Sequence, residues 1–303
     1  MRARSFLLLA ATLAIATLAS APAAAQSPGL DTVQIQTERL AEGLYVLRGR
    51  GGNIGLAIGP EAVFVVDDQF APLTPKILAA IAKLTDRPVR FVLNTHWHFD
   101  HTGGNENMGK AGALLVAHDN VRRRMSTRQF IEFIKREEPA SAPGALPVVT
   151  FNDAVTFHIN GDEVMAIHLP AAHTDGDAAV YFRRANVVHM GDVYVLTYPL
   201  VDISSGGSLS GFVRGVDRVL TLINDSTKVI PGHGSTSDAP TLRAYRHMLA
   251  TIRDRIHEQV RAGKTLEQII ASKPTADFDT KWEGSFVKAA DLIRFGYADA
   301  TRR

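Results

Sequence analysis

A chain of 303 residues with 46% apolar side chains can bury a sizeable core, and without cysteine it must do so unaided by disulfides. Its 33 basic and 31 acidic residues leave a formal charge of +2, too even a balance for electrostatic capture of nucleic acid or an anionic membrane. Arg2 and Arg4 are the only charges of the N-terminal leader, and without them basic and acidic residues number 31 each.

That leader combines Met1-Arg2-Ala3-Arg4, an apolar run from Phe6 to Leu18, and the small-residue stretch Ala21-Pro22-Ala23-Ala24-Ala25. These are the three regions of a secretory signal peptide, with cleavage expected after Ala25. The apolar run is short for a bilayer span. Residues 1–25 are therefore read as the signal peptide and 26–303 as a single domain, secreted or periplasmic, with no membrane association.

Three short strands are expected next, Leu44 to Leu47, Asn53 to Ile58 and Ala62 to Val66, separated by glycine-rich turns. Thr74 to Leu84 carries Ile77, Leu78, Ile81 and Leu84 at helical spacing. Arg90 to Leu93 reads as a buried strand. Ala113 to Ala117 is a further strand, and Asp119 to Glu138 is predicted to be one long amphipathic helix ended by Pro139. Its Arg122-Arg123-Arg124 run is a solvated helix face.

After a loop reaching Pro147 the plan repeats. Strands are expected over Val155 to Ile159, Val164 to Leu169, Ala178 to Phe182 and Val187 to His189, then a helix from Leu209 to Ile223 and a strand from Lys228 to Ile230. Helices over Thr241 to Val260, Leu266 to Ala271 and Phe286 to Ala300 finish the chain. Strands then helix then strand, twice, predicts an α/β fold of two facing sheets with helices outside.

The chemistry concentrates in His96-Trp97-His98-Phe99-Asp100-His101, on the loop leaving the strand at Leu93. Four ligand-type side chains in six positions suit a metal site; imidazole and carboxylate donors favour zinc, with iron or manganese as the weaker choices. Three more candidates lie at strand ends: His173 in Leu169-Pro170-Ala171-Ala172-His173-Thr174, Asp192 in His189-Met190-Gly191-Asp192, and His233 in Pro231-Gly232-His233-Gly234. His118, His158, His168, His189, His247 and His257 lack ligand spacing and read as structural.

In this order, His-x-His-x-Asp-His, His-Thr, Gly-Asp and Pro-Gly-His-Gly, the chain resembles the metallo-β-lactamase superfamily from about Leu44 to His233. The resemblance implies an αββα sandwich with two metal ions, zinc by preference, at one edge. His96, His98 and His173 would hold one ion, Asp100, His101 and His233 the other, and Asp192 would bridge them. It further implies a hydrolase that opens an acyl bond of a small molecule by attack of a metal-bridging hydroxide, with Asp100 orienting that hydroxide and shuttling its proton.

The secretory leader makes a β-lactam the first candidate substrate, with a lactone or thioester as the alternative. Two departures matter here. Asp192 stands where one type of β-lactamase carries cysteine, and Val195 stands where that type uses a lysine for the substrate carboxylate. The bridging aspartate resembles glyoxalase II and lactonases instead, although Tyr194 lies one position earlier than the tyrosine of quorum-signal lactonases. A mononuclear-iron redox enzyme such as a sulfur dioxygenase is the non-hydrolytic alternative. Tyr198 to Ser208 is expected to form one lip of the pocket and Gly49 to Asn53 the other. The oligomeric state is not set by the sequence.

Overall fold

The computed structural model describes residues 29–302, so the leader lies outside the described residues. In chain order the first half contains β1 (Gln36–Ala41), β2 (Leu44–Arg48), β3 (Ile54–Ile58), β4 (Val63–Val66), α1 (Thr74–Ala82), β5 (Val89–Leu93), α2 (Phe99–Thr102), α3 (Asn105–Lys110), β6 (Leu114–His118), α4 (Asp119–Met125), β7 (Gln129–Ile131), β8 (Arg136–Glu138) and β9 (Val149–Phe151). The second half contains β10 (Ala154–Ile159), β11 (Asp162–His168), β12 (Ala178–Phe182), β13 (Val187–His189), α5 (Leu209–Leu220), β14 (Lys228–Ile230), β15 (Ser237–Asp238), α6 (Ala239–Arg261), α7 (Leu266–Ala271), α8 (Ala276–Trp282) and α9 (Ala289–Thr301).

One sheet runs β1-β2-β3-β4-β5-β6-β9 and the other β10-β11-β12-β13-β14-β15. Strict alternation along the inner strands decides which way each residue faces. Phe64 and Val66 of β4 point into the layer between the sheets, where they meet Val180, Phe182 and Val187 of the second sheet. Val63 and Val65 point the other way, against Ile77 and Ile81 of α1. On the far side of the second sheet, Val188 and Val229 pack against Phe212 and Val216 of α5 and Leu249 and Ile252 of α6. The result is the expected αββα sandwich.

The helix predicted over Asp119 to Glu138 ends instead at Met125. Ser126 Oγ donates to the Arg122 carbonyl at 2.7 Å, competing for the backbone at the last turn. Beyond it the β-branched and aromatic residues of Gln129-Phe130-Ile131 pair antiparallel with Arg136-Glu137-Glu138, with Lys135 turning at φ 51. The apolar spacing that imitated a helix serves this hairpin, where Ile131 is buried beside Trp97, Val121 and Met125. The last helix likewise begins at Ala289, leaving Phe286 in the preceding loop.

Strand direction gathers the functional loops. β4, β5, β6 and β9 are mutually parallel, so the loop after β5 leaves the same edge as its neighbours. In the second sheet β11 and β13 are each antiparallel to β12, and β14 is parallel to β13. The loops following β11, β13 and β14 therefore also share one edge, as expected for chemistry in α/β folds.

Candidate metal centre

His96, His98 and His173 lie in one cluster whose ligand-type atoms are all within 4.8 Å of each other, and Asp100, His101 and His233 lie in a second. In the first, His173 Nε2 faces His98 Nδ1 at 2.8 Å. In the second, His233 Nε2 sits 3.2 Å from Asp100 Oδ2 and 3.3 Å from His101 Nε2. Asp192 stands between them, with Oδ2 3.8 Å from His173 Nε2 and Oδ1 3.2 Å from His101 Nε2. All seven residues singled out in the sequence thus meet at one edge of the sandwich.

Four of the imidazoles use one ring nitrogen on a partner outside the cluster and turn the other inward. His98 Nε2 meets Asp202 Oδ2 at 3.0 Å, and His173 Nδ1 meets the Leu200 carbonyl at 2.8 Å. His101 Nδ1 meets Asp67 Oδ2 at 2.7 Å, while His96 Nδ1 lies 3.0 Å from Thr95 Oγ1. Thr95 is itself held by both carboxylate oxygens of Asp67. Outer partners of this kind fix ring orientation at metal sites. The inward atoms include two that are buried without a hydrogen bond of good geometry, His96 Nε2 and Asp192 Oδ1. An orphaned imidazole nitrogen and an orphaned carboxylate oxygen aimed at one point fit a divalent cation.

Asp67 and Asp202 were not singled out in the sequence. Asp67 follows the β-rich run Val63 to Val66, so a carboxylate at a strand end was the available signal. Its φ of 63 places it in the left-handed region, a strain that the hydrogen bonds to Thr95 and His101 hold in place. Asp202 lies in the expected substrate loop, where its role is to reach down to His98. Tyr198 and Leu200 of that loop do line the pocket, but Gly49 to Asn53 do not. Gly52 instead packs under His101, where a Cβ would fall 2.1 Å from Cε1 of the ring.

Charge is divided between the two clusters. Burial holds His96 well below the usual imidazole range, and burial with the neighbouring His98 lowers His173 to about 4. On the other side burial opposes charge on His233, but Asp192 and Asp100 outweigh it and raise it to about 10. Burial likewise resists ionisation of Asp100, yet His101 and His233 lower it to about 2. Asp192 is held well below the carboxylate range by His233 and His101 against the same resistance. The carboxylates are therefore ionised and the protons they attract sit where a cation would replace them.

Gly232 makes room for this arrangement, since a Cβ there would fall 1.9 Å from Asp192 Oδ1. Gly234 supplies the turn, with φ +95. Above the clusters opens a cavity of about 500 Å³ whose floor includes His98, Asp100, His173, Asp192 and His233. The six other histidines lie outside these donor clusters. His189 Nε2, for example, meets the Asn53 carbonyl at 3.0 Å in the buried layer between the sheets.

The profile of the metallo-beta-lactamase superfamily matches residues 47–233, which contain all seven cluster residues. The chain belongs to this superfamily. Among curated relatives, an acyl-coenzyme A thioesterase MBLAC2 from Bos taurus is 24% identical over 217 residues, covering 64% of this chain and 77% of that protein. The 2,4-dinitroanisole O-demethylase subunit alpha of Nocardioides sp. (strain JS1661) is 26% identical over 179 residues, 58% of this chain and 50% of that one. Among solved structures, the sec-alkylsulfatase Pisa1 from Pseudomonas sp. superposes with a TM-score of 0.68 at 16% identity over 88% of this chain. The chain spans 50% of that enzyme's length. A metallo-beta-lactamase from Pontibacter korlensis gives a TM-score of 0.59 at 19% identity, covering 72% of this chain and 99% of that one. Superfamily membership and the paired His/Asp clusters support a metal-binding hydrolase.

Proposed function

We propose that this protein hydrolyses an acyl bond of a small molecule, a thioester or carboxylic ester, with two zinc ions. His96, His98 and His173 would hold one, Asp100, His101 and His233 the other, and Asp192 both. The observation that carries this reading is the pair of donor clusters facing each other across Asp192 at the floor of one cavity. Bound there, the ions would polarise the scissile carbonyl and bring a water to a pKa of about 7.

The chain's own residues supply the rest. Asp100 is ionised, faces the cavity, and lies against His233, so it is placed to take a proton from water and return it to the leaving group. Asp67 and Asp202 keep His101 and His98 in the required orientation. The apolar side chains of the cavity walls would shield the reacting carbonyl from bulk water.

A thioester or ester is favoured over a β-lactam because, among the described residues, no lysine or arginine lines the cavity to receive a β-lactam's carboxylate. Two complete donor clusters favour hydrolysis over a single-iron redox site. A secreted or periplasmic location is proposed on the leader alone. Turnover of a thioester, an ester, a lactone and a β-lactam by zinc-loaded protein tests the assignment. The thioester or ester is expected to be hydrolysed fastest; silence on all four substrates would refute it.

A further inference from the structure

The cavity's walls come from four separate segments, and their chemistry is largely apolar. Ile131 and Ile134 of the β7–β8 hairpin form one wall with Phe99. Val195, Leu196 and Leu200 form the opposite wall, on the loop after Asp192. Phe286 closes the third side from the loop before α9. Its ring meets Phe133 of the hairpin at 5.4 Å, and Phe133 in turn meets Phe295 of α9 at 5.6 Å. Phe286 nevertheless remains 60% exposed, a large apolar side chain left without full cover at the mouth of the cavity.

Polar groups near this wall are already engaged. Tyr198 donates its hydroxyl to Asp279 at 2.7 Å, so it offers the cavity a ring and not a donor. Arg136 lies over the Phe99 ring at 3.7 Å and is paired with Glu138. Arg48, whose Nε reaches the Gly234 carbonyl at 3.2 Å, is paired with Glu38 and bonded to Thr236. The charged floor is thus met from above by largely apolar surface, with Thr197 the polar exception.

We infer that the enzyme selects its substrate by an uncharged, apolar acyl chain, held between the β7–β8 hairpin, the 195–200 loop and Phe286, with the scissile carbonyl over the donor clusters. This rests on the hydrolase reading above. The acyl side enters because the polar carrier of a thioester would find no cation within the cavity. Hydrolysis adds water across the acyl C–S bond: a C–O bond forms at the acyl carbon, the C–S bond breaks, and one proton of the water passes to the departing thiolate. The volume of about 500 Å³ is within the range that encloses a small-molecule ligand.

The test uses zinc-loaded protein and N-acetylcysteamine thioesters, an uncharged carrier, with butanoyl, hexanoyl, octanoyl, decanoyl and succinyl groups. Transfer of each methylene into the cavity is expected to raise kcat/KM about fourfold until the cavity is filled. Succinyl, of butanoyl length but ending in a carboxylate, is expected to react at least tenfold more slowly than butanoyl, because burying an unpaired charge is unfavourable. Phe286→Ala, at an exposed position that the fold tolerates, is expected to lower the decanoyl-to-butanoyl ratio about tenfold. A ratio that is flat with chain length, or succinyl turned over as fast as butanoyl, would overturn the inference.

Calorimetric binding of 1-decanol and 1-butanol to the same protein separates the two readings. If neither the thioesters nor an ester, a lactone and a β-lactam turn over, the hydrolase assignment fails. In that event tighter binding of decanol, weakened by Phe286→Ala, still supports the apolar-chain site, and equal binding of the two alcohols refutes it.

Discussion

At the residue scale the arrangement depends on pairs, each inward donor with an outward partner. Asp202 shows this most simply. Its carboxylate is held below the usual range by its contact with His98, against the resistance of burial, so it accepts from His98 Nε2 as a charged group. Asp202→Asn is expected to leave the fold intact and weaken zinc binding in the His96/His98/His173 cluster about 10–100-fold. Competition with a chromophoric chelator measures it, and an unchanged affinity would remove Asp202 from the site. Asp100→Asn addresses proton transfer instead: kcat for the best acyl substrate is expected to fall about 10²–10⁴-fold with an unaltered circular dichroism spectrum.

At the element scale the same site is set by turns and hairpins. The β14–β15 connection passes so close to Asp192 that Gly232→Ala must displace either that backbone or the carboxylate. The expected outcome is a protein that folds but loses about one zinc equivalent, measured by metal analysis beside the wild type. Elements are also where sequence legibility changes. The inner strands were readable because Val63 to Val66 and Val187 to His189 are β-branched runs bounded by turns. The metal loop was readable because four ligand types crowd into His96 to His101. β1 was not, since its exposed polar residues take strand form only by pairing with β2. The β7–β8 hairpin was hidden because Phe130, Ile131, Phe133 and Ile134 also satisfy helical spacing. Asp67 and Asp202 look like ordinary turn residues until the histidines they orient are in place.

At the scale of the whole molecule, the two sheets meet at the site and again beside it. His96, His98, Asp100 and His101 come from the first sheet's edge, and His173, Asp192 and His233 from the second, so ions bound there would tie the halves together. With zinc at about a thousand times its dissociation constant, this linkage is worth about 4 kcal/mol. Removing the metal with a chelator is therefore expected to lower Tm by about 10 °C, and an unchanged Tm would deny the bridge.

A second tie is the stacked pair His118 and His168, one from each sheet, with ring centroids 3.7 Å apart. Burial lowers both imidazoles below their ordinary value, and in His118 the neighbouring His168 adds to the effect. The unfolded chain thus binds more protons than the folded one near pH 6.5, so this contribution is present above that pH and lost as pH falls through it. Tm is expected to drop between pH 7.5 and 5.5 by more in the wild type than in His168→Gln. Equal drops would show that the pair does not couple stability to pH.

The fold explains why donors from four loops meet, and the count of bound ions tests whether they meet for the reason given. Metal analysis of the purified protein is the most direct measurement. About two zinc ions per chain are expected. A single iron, or no tightly held metal, would contradict the two-zinc assignment.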